Sequence, residues 1–200
     1  MNDFYNTIEK GATAEYKDRG STFIAIAFPI ASVEDFKKEL KSIKEKHPKA
    51  AHHCYAYRLG FDKNNFRAND DGEPAGTAGK PILGQIDSKE LTNTAIVVVR
   101  YFGGTLLGVP GLINAYKMVS SLALQLTPII QNPVLVDYEL SFDYTLLNDA
   151  MMLVKRFGCQ VKKSELQLFC RMVLGVPKAE QSLFLEKVTD MNGMEFSLVS

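Results

Sequence analysis

Residues 94–102, TAIVVVRYF, constrain this chain more tightly than any other stretch. So continuous an apolar, β-branched run fits a strand buried on both faces. The run closes on a cation and two aromatic rings, and Gly103-Gly104 breaks it. A strand of that kind needs a substantial core around it. The 200 residues supply one, at 46% hydrophobic and 23% charged, without disulfides or metal staples.

The elements around this strand read as follows. Residues 12–16 and 22–30 form two strands joined by a turn at Lys17-Asp18-Arg19-Gly20. Ser32 caps a helix, with Asp35 as a short capping-box partner and Val33, Phe36, Leu40 and Ile43 on its apolar face; Pro48 ends it. The lysines on its other face read as a solvated surface. Residues 52–59, HHCYAYRL, form a strand with His52, Cys54, Ala56 and Arg58 on one face and His53, Tyr55, Tyr57 and Leu59 on the other. Residues 62–81 form a polar, Gly/Pro-punctuated segment without hydrophobic periodicity, which inside a compact domain reads as functional or mobile. Pro110 opens a helix that runs to about Leu126.

Two prolines in 127–137 mark a domain boundary, so the predicted domains are 1–130 and 135–200. The second follows a simple order: strand 135–143, helix 146–157 stopped by Gly158, strands 159–164 and 167–175, helix 178–191, and strand 194–199 after an Asn192-Gly193 turn. That is the β-α-β-β-α-β, ferredoxin-like arrangement. The predicted fold class is α+β.

Lys and Arg number 23, balanced by 23 Asp and Glu. Residues 1–131 carry 16 basic and 14 acidic groups, and 132–200 carry 7 and 9. A polybasic protein held to nucleic acid or membrane by bulk charge is excluded, and any such face must be a local patch. Three cysteines without framework spacing point to a reducing compartment. The N-terminus lacks the build of a signal peptide, and no apolar run approaches the roughly 20 residues of a membrane span. The expected location is cytoplasmic, with no membrane partner.

The most unusual motif is 69–81, NDDGEPAGTAGKP. Asp70, Asp71 and Glu73 stand beside Gly76, Gly79 and Lys80, the materials of an anion-holding backbone nest with a neighbouring cation. A Walker A reading fails, because Pro74 and Pro81 occupy its glycine and hydroxyl positions. An EF-hand fails too, with Arg67 at the first ligand position. The plainer reading is a demanding turn whose acids cap a helix beginning near Gly76. His52, His53 and Cys54 are metal-ligand types, but adjacent histidines point to opposite faces and no paired ligand spacing is present, so no metal or cofactor is expected. Cys54 reads as a small buried residue. Arg100, Tyr101, Phe102, Gly103 and Gly104 suit phosphate gripping and stacking on bases. Buried arginines are usually paired, so Arg100 is also expected to pair with a loop carboxylate and lock 69–81 against the sheet; the two roles are compatible.

An ordered series of motifs resembles the IMPACT family: His52-x-Cys54-Tyr55-Ala56-Tyr57-Arg58, Asp70-Asp71-Gly72-Glu73-Pro74-x-Gly76-Thr77-Ala78-Gly79-Lys80-Pro81, Val97-Val98-Val99-Arg100-Tyr101-Phe102-Gly103-Gly104, and Ala115-Tyr116. The resemblance covers the chain to about residue 126. It implies an N-terminal α/β domain like the second domain of a small-subunit ribosomal protein, and a C-terminal domain like the last domain of elongation factor G. It also implies a role in translation, which eukaryotic members regulate by competing for the activator of an amino-acid-starvation kinase. The chain departs from the family's LGTGGLxRAY pattern at Val109, Pro110 and Asn114, which implies a weaker phosphate grip at that turn.

The expected function is a non-catalytic binding protein acting on structured RNA, the ribosome or a translation-associated protein. Lys80 and Arg100 would contact phosphate, Tyr101 and Phe102 would give aromatic contact, and Gly76, Gly79, Gly103 and Gly104 would permit close approach. Two alternatives stand beside it. One is a metal-assisted or acid–base hydrolase built on His52, Asp70, Asp71, Glu73 and Lys80. The other is an adaptor that binds protein alone. The oligomeric state is unspecified.

Overall fold

The computed structural model describes residues 3–61 and 64–199. The chain divides into two compact units, one spanning Tyr5–Asn132 and the other holding residues 3–4 with 133–199. Among the described residues there are five helices and three sheets, a mixed α/β architecture.

In the first unit, β2 (Ala12–Asp18), β3 (Ser21–Pro29), β4 (His52–Leu59), β5 (Asn65–Asn69) and β6 (Thr94–Tyr101) form a five-stranded sheet in the order β2-β3-β6-β4-β5. Every neighbouring pair is antiparallel. β6 lies in the middle, and its alternation feeds two cores. Ile96 and Val98 face one side with Phe23, Cys54 and Ala56; Ala95, Val97 and Val99 face the other with Phe28, Tyr55 and Tyr57. The continuous apolar run follows from this arrangement, because neither face of the strand reaches water.

Helix α1 (Val33–Lys46) covers the second face with Phe36 and Ile43. Ser32 Oγ accepts from Asp35 N at 3.1 Å, while Asp35 reaches back to Ala31 N at 3.2 Å, so the capping box closes one residue further out than the usual form. The first face is covered by α2 (Gly79–Ser88), through Ile82 and Ile86, and by α3 (Gly108–Gln125), through Leu112, Tyr116, Val119 and Ala123. The Phe23 and Tyr116 rings meet edge to face, 5.2 Å apart at 83°.

Three strands lie where the sequence pattern gave none. β1 (Phe4–Ile8) pairs with β7 (Ile129–Pro133) in a two-stranded sheet, inside stretches read as a terminus and a proline-marked boundary. β5 lies inside the segment read as lacking structure, and the helix expected near Gly76 starts at Gly79. All three strands are short, and β5 sits at a sheet edge. Their structure comes from ladder pairing with a neighbour rather than from a buried face of their own.

The second unit runs β8 (Leu135–Asp143), α4 (Leu147–Arg156), β9 (Gln160–Leu166), β10 (Phe169–Pro177), α5 (Gln181–Thr189) and β11 (Met194–Leu198). Its antiparallel sheet has the order β11-β8-β10-β9, which is the ferredoxin-like arrangement. Leu140, Phe142, Met172 and Leu174 pack against Leu153 and Phe184 from the two helices. Gly158 takes a φ of 60° just after α4, the left-handed conformation expected at that stop. Short 3₁₀ turns, Tyr144–Leu146 and Lys178–Glu180, precede both helices.

Candidate functional site

The β4–β6 register sets His52 opposite Arg100 on the α2/α3 face of the sheet. The loop between β5 and α2 folds over this pair. It turns sharply at Asp71 and Gly72, with φ of 41° and 88°. Asp71 N donates to Asn69 Oδ1 at 2.8 Å, and Asp71 Oδ2 accepts from His53 N at 2.7 Å. His52 Nδ1 lies 2.8 Å from Asp71 O; a carbonyl only accepts, so the proton sits on Nδ1.

Glu73 is carried beneath the loop, its side chain 3% exposed. Its Oε1 accepts from Arg100 Nη1 at 2.6 Å and from Tyr116 Oη at 2.8 Å. The Arg100 guanidinium, only 6% exposed, lies over Phe23 at 5.4 Å and Phe102 at 5.5 Å. Its Nη2 donates weakly to Ser21 Oγ at 3.4 Å, and its Nε has no hydrogen-bond partner. Cys54 Sγ, with one proton to give, stands 2.9 Å from Asp70 O and 3.3 Å from Tyr116 Oη. Arg100 therefore does form the expected lock on 69–81, and Glu73 is the carboxylate it uses.

The convergent backbone nest also exists, and the protein fills it itself. Asp70 Oδ1 accepts from Ala78 N at 3.0 Å and Gly79 N at 2.8 Å, and Oδ2 accepts from Gly76 N at 2.9 Å. Helix α2 has no cap from its own Ala78; Asp70 supplies one from upstream. Burial alone would push the Asp70 carboxyl up. The N–H groups of Gly76, Gly79 and Ala78 together outweigh it, and with the Lys80 cation they hold it below the usual aspartate range. Lys80 is exposed at the start of α2.

This cap yields a pH-dependent prediction. A carboxyl depressed on folding contributes its full stability above the unfolded value, and that contribution is lost as pH falls through the folded value. Asp70→Asn is expected to cost about 1–2 kcal/mol at neutral pH. Urea midpoints of the wild type and the variant should differ by a constant amount above about pH 5 and converge below about pH 4. A gap that persists unchanged into acid would contradict the assignment.

Burial shifts three further groups of the site. Burial pushes the Cys54 thiol up to about 12, against a lowering hydrogen bond with Tyr116 and with Glu73, Asp71 and Asp70 adding to the rise. Burial likewise drives the Tyr116 hydroxyl far upward, helped by Cys54 and Glu73, and lowers His53. His52 Nε2 stands 3.9 Å from Glu73 Oε1. Among the described residues, no group of three or more His, Cys, Asp or Glu side chains is gathered as for a metal ion.

The four glycines singled out from the sequence divide in two. A Cβ on Gly79 would lie 2.5 Å from Asn69 N, and one on Gly103 would lie 1.9 Å from Gly20 C, so these two serve packing inside the protein. Gly104, with φ of 85° and nothing within 4 Å, and Gly76, with φ of 76°, are required by backbone conformation. Tyr101 Oη lies 2.8 Å from His47 Nδ1, which ties that ring to the end of α1, while Phe102 is 50% exposed. Val109, Pro110 and Asn114, at the start of α3, are all exposed. Ser21, which accepts from Gly103 N at 3.2 Å as well as from Arg100, was not legible as part of the site, because only sheet pairing brings it there.

The Impact N-terminal domain family model matches residues 19–124. The chain is 36% identical over 183 residues to the IMPACT family member YigZ of Escherichia coli, covering 90% of this chain and 89% of that protein. It is 39% identical over 100 residues to Protein IMPACT of Rattus norvegicus, covering 48% of this chain and 31% of that protein. A solved structure described as that of a hypothetical protein superposes with a TM-score of 0.80 at 30% identity, covering 100% of this chain and 99% of its own.

Proposed function

Because this chain belongs to the IMPACT family, we propose that it is a non-catalytic binding protein acting in the regulation of translation, on structured RNA, the ribosome or a ribosome-associated protein. A role in translation is what the resemblance to the family implies, and 100 residues of this chain align with Protein IMPACT of Rattus norvegicus. One observation carries the choice of binding over catalysis. Three of the groups that could perform chemistry are already committed inside the fold: Asp70 to three N–H groups, Glu73 to Arg100 and Tyr116, and Cys54 to Asp70 O and Tyr116. They make a rigid shelf, and the groups left facing solvent around it are those of a contact surface, Lys80, Phe102, Gly104 and the neighbouring Leu106. In this reading Arg100 supports the surface from beneath rather than touching phosphate. Among the described residues no helix is long and apolar enough to cross a membrane.

Co-sedimentation of the purified protein with ribosomes and their subunits, over a salt series with and without nuclease, tests the reading. Association is expected at low salt, and the Lys80→Ala/Phe102→Ala variant should reduce the bound fraction several-fold while keeping its melting temperature. Association that survives both nuclease and high salt would identify a protein-only adaptor. No association at low salt would overturn ribosome binding.

A further inference from the structure

The chain is neutral overall, yet residues 37–49 hold six lysines, at 37, 38, 41, 44, 46 and 49, against Glu39 and Glu45. Helical spacing sorts them. Lys37, Lys41 and Lys44 follow at i, i+4 and i+7 along one flank of α1, where with Leu40 and Glu45 they line a surface depression. At its C-terminal end Lys44 Nζ is 3.9 Å from Asp71 Oδ1, in the loop after β5. On β5, Arg67 is paired opposite Tyr57, so it lies on the sheet face that α1 covers, and it is exposed. Lys37 and Arg67 have no ion-pair partner among the described residues. The acids paired with these lysines are Glu45, 4.0 Å from Lys41, and Asp71, both in solvent-exposed and weak ion pairs, and exposed Glu34 stands one turn before Lys37.

We infer that this lysine-lined groove along the surface of α1 grips the phosphate backbone of RNA without reading its bases. The inference rests on the translation reading above and gives that reading a surface. The cations run in line for about 10 Å along α1, from Lys37 to Lys44 at 1.5 Å per residue. A partner whose charges repeat along its length needs nothing more than such a row. A protein partner would need apolar anchors in pockets, and the groove offers only the half-buried Leu40 between its lysines. Tyr55 and Tyr57, on β4 beneath α1, are 9% and 5% exposed and packed under Phe36, so no base can stack on these two rings. At the Lys44 end the groove opens onto the Asp71 turn of the loop shelf.

The test is fluorescence anisotropy of the full chain with a labelled twelve-nucleotide oligouridine and a labelled RNA duplex, between 50 and 200 mM salt. Three to four phosphate contacts predict a log–log salt slope of about −2 to −3 on the single strand, a loss of about thirtyfold over that range. Lys37→Gln/Lys41→Gln/Lys44→Gln should cut affinity at least about tenfold at 50 mM salt and flatten the slope toward zero, with the melting temperature retained. Lys37→Arg/Lys41→Arg/Lys44→Arg should bind like the wild type. Equal affinity of the Gln variant, absence of wild-type binding at 50 mM salt, or displacement of the RNA by polyglutamate at equal charge concentration would each overturn the inference. If wild type and Gln variant co-sediment equally with ribosomes, the groove fails while the translation reading stands. If the oligonucleotide binds through the groove but ribosomes are not engaged, the groove stands while that reading fails.

Discussion

Glu73→Ala is expected to destabilise the Tyr5–Asn132 unit by about 3–5 kcal/mol, one of the two largest effects a single change here should have. The reason is what it leaves behind. Arg100 remains 6% exposed with a charge it cannot lose, its other side-chain hydrogen bond among the described residues being the 3.4 Å contact to Ser21. Its Nε is unpartnered already, so the pair has no reserve of hydrogen bonds to fall back on. Tyr116, wholly buried, loses its acceptor at the same time. Replacing both members, as Glu73→Met/Arg100→Met, should cost less than Glu73→Ala alone, because no buried charge is then stranded. Hydrogen exchange of the β4 and β6 amides measures this unit separately from the C-terminal one. A Glu73→Ala protein within 1 kcal/mol of wild type would mean that the lock is ornamental.

The second large effect is set by a missing side chain. Gly103→Ala would place its Cβ 1.9 Å from Gly20 C, 2.2 Å from Gly20 O and 2.3 Å from Ser21 N, all backbone atoms. That backbone cannot easily step aside: Arg19 and Gly20 hold a tight turn at φ of 45° and 81°, and Asp18 and Ser21 close the ladder directly behind it. The substitution should exceed the ordinary overpacking penalty of about 1–3 kcal/mol and disturb the Ser21 contact to Arg100. Gly104→Ala, one residue on, meets nothing within 4 Å and should cost only the roughly 1–2 kcal/mol of a left-handed conformation. Thermal denaturation of the two variants side by side checks the contrast, and equal losses would refute it.

How far the sequence was legible depended on whether a residue's role was local or tertiary. The run at 94–102, the Ser32 cap and the β-α-β-β-α-β order after residue 135 depend on local periodicity and capping, and each could be read directly. β1, β5 and β7 could not, because a short strand gains its definition from the strand it pairs with. At the site, the residue types of 69–81 announced a demanding turn, and the pairing of Arg100 with a loop carboxylate followed from the rarity of unpaired buried arginine. That Asp70, rather than an external anion, fills the nest needed the coordinates. The glycine-rich pattern is the same whether the anion belongs to the chain or to a ligand. The lysines of α1 read as a solvated face, and in the structure they are exposed.

The middle position of β6 also has a consequence for how the protein is made. The sheet order β2-β3-β6-β4-β5 sets residues 94–101 between two strands that leave the ribosome before them. Until that segment emerges, β3 and β4 each present an unpaired edge beside a half-built core, the condition under which nascent chains stray into wrong pairings. The sheet therefore cannot be completed hairpin by hairpin as synthesis proceeds. Completing it needs β6 in the gap and α3 over one face, so the N-terminal unit depends on its own last third, and such non-local pairings favour slow folding.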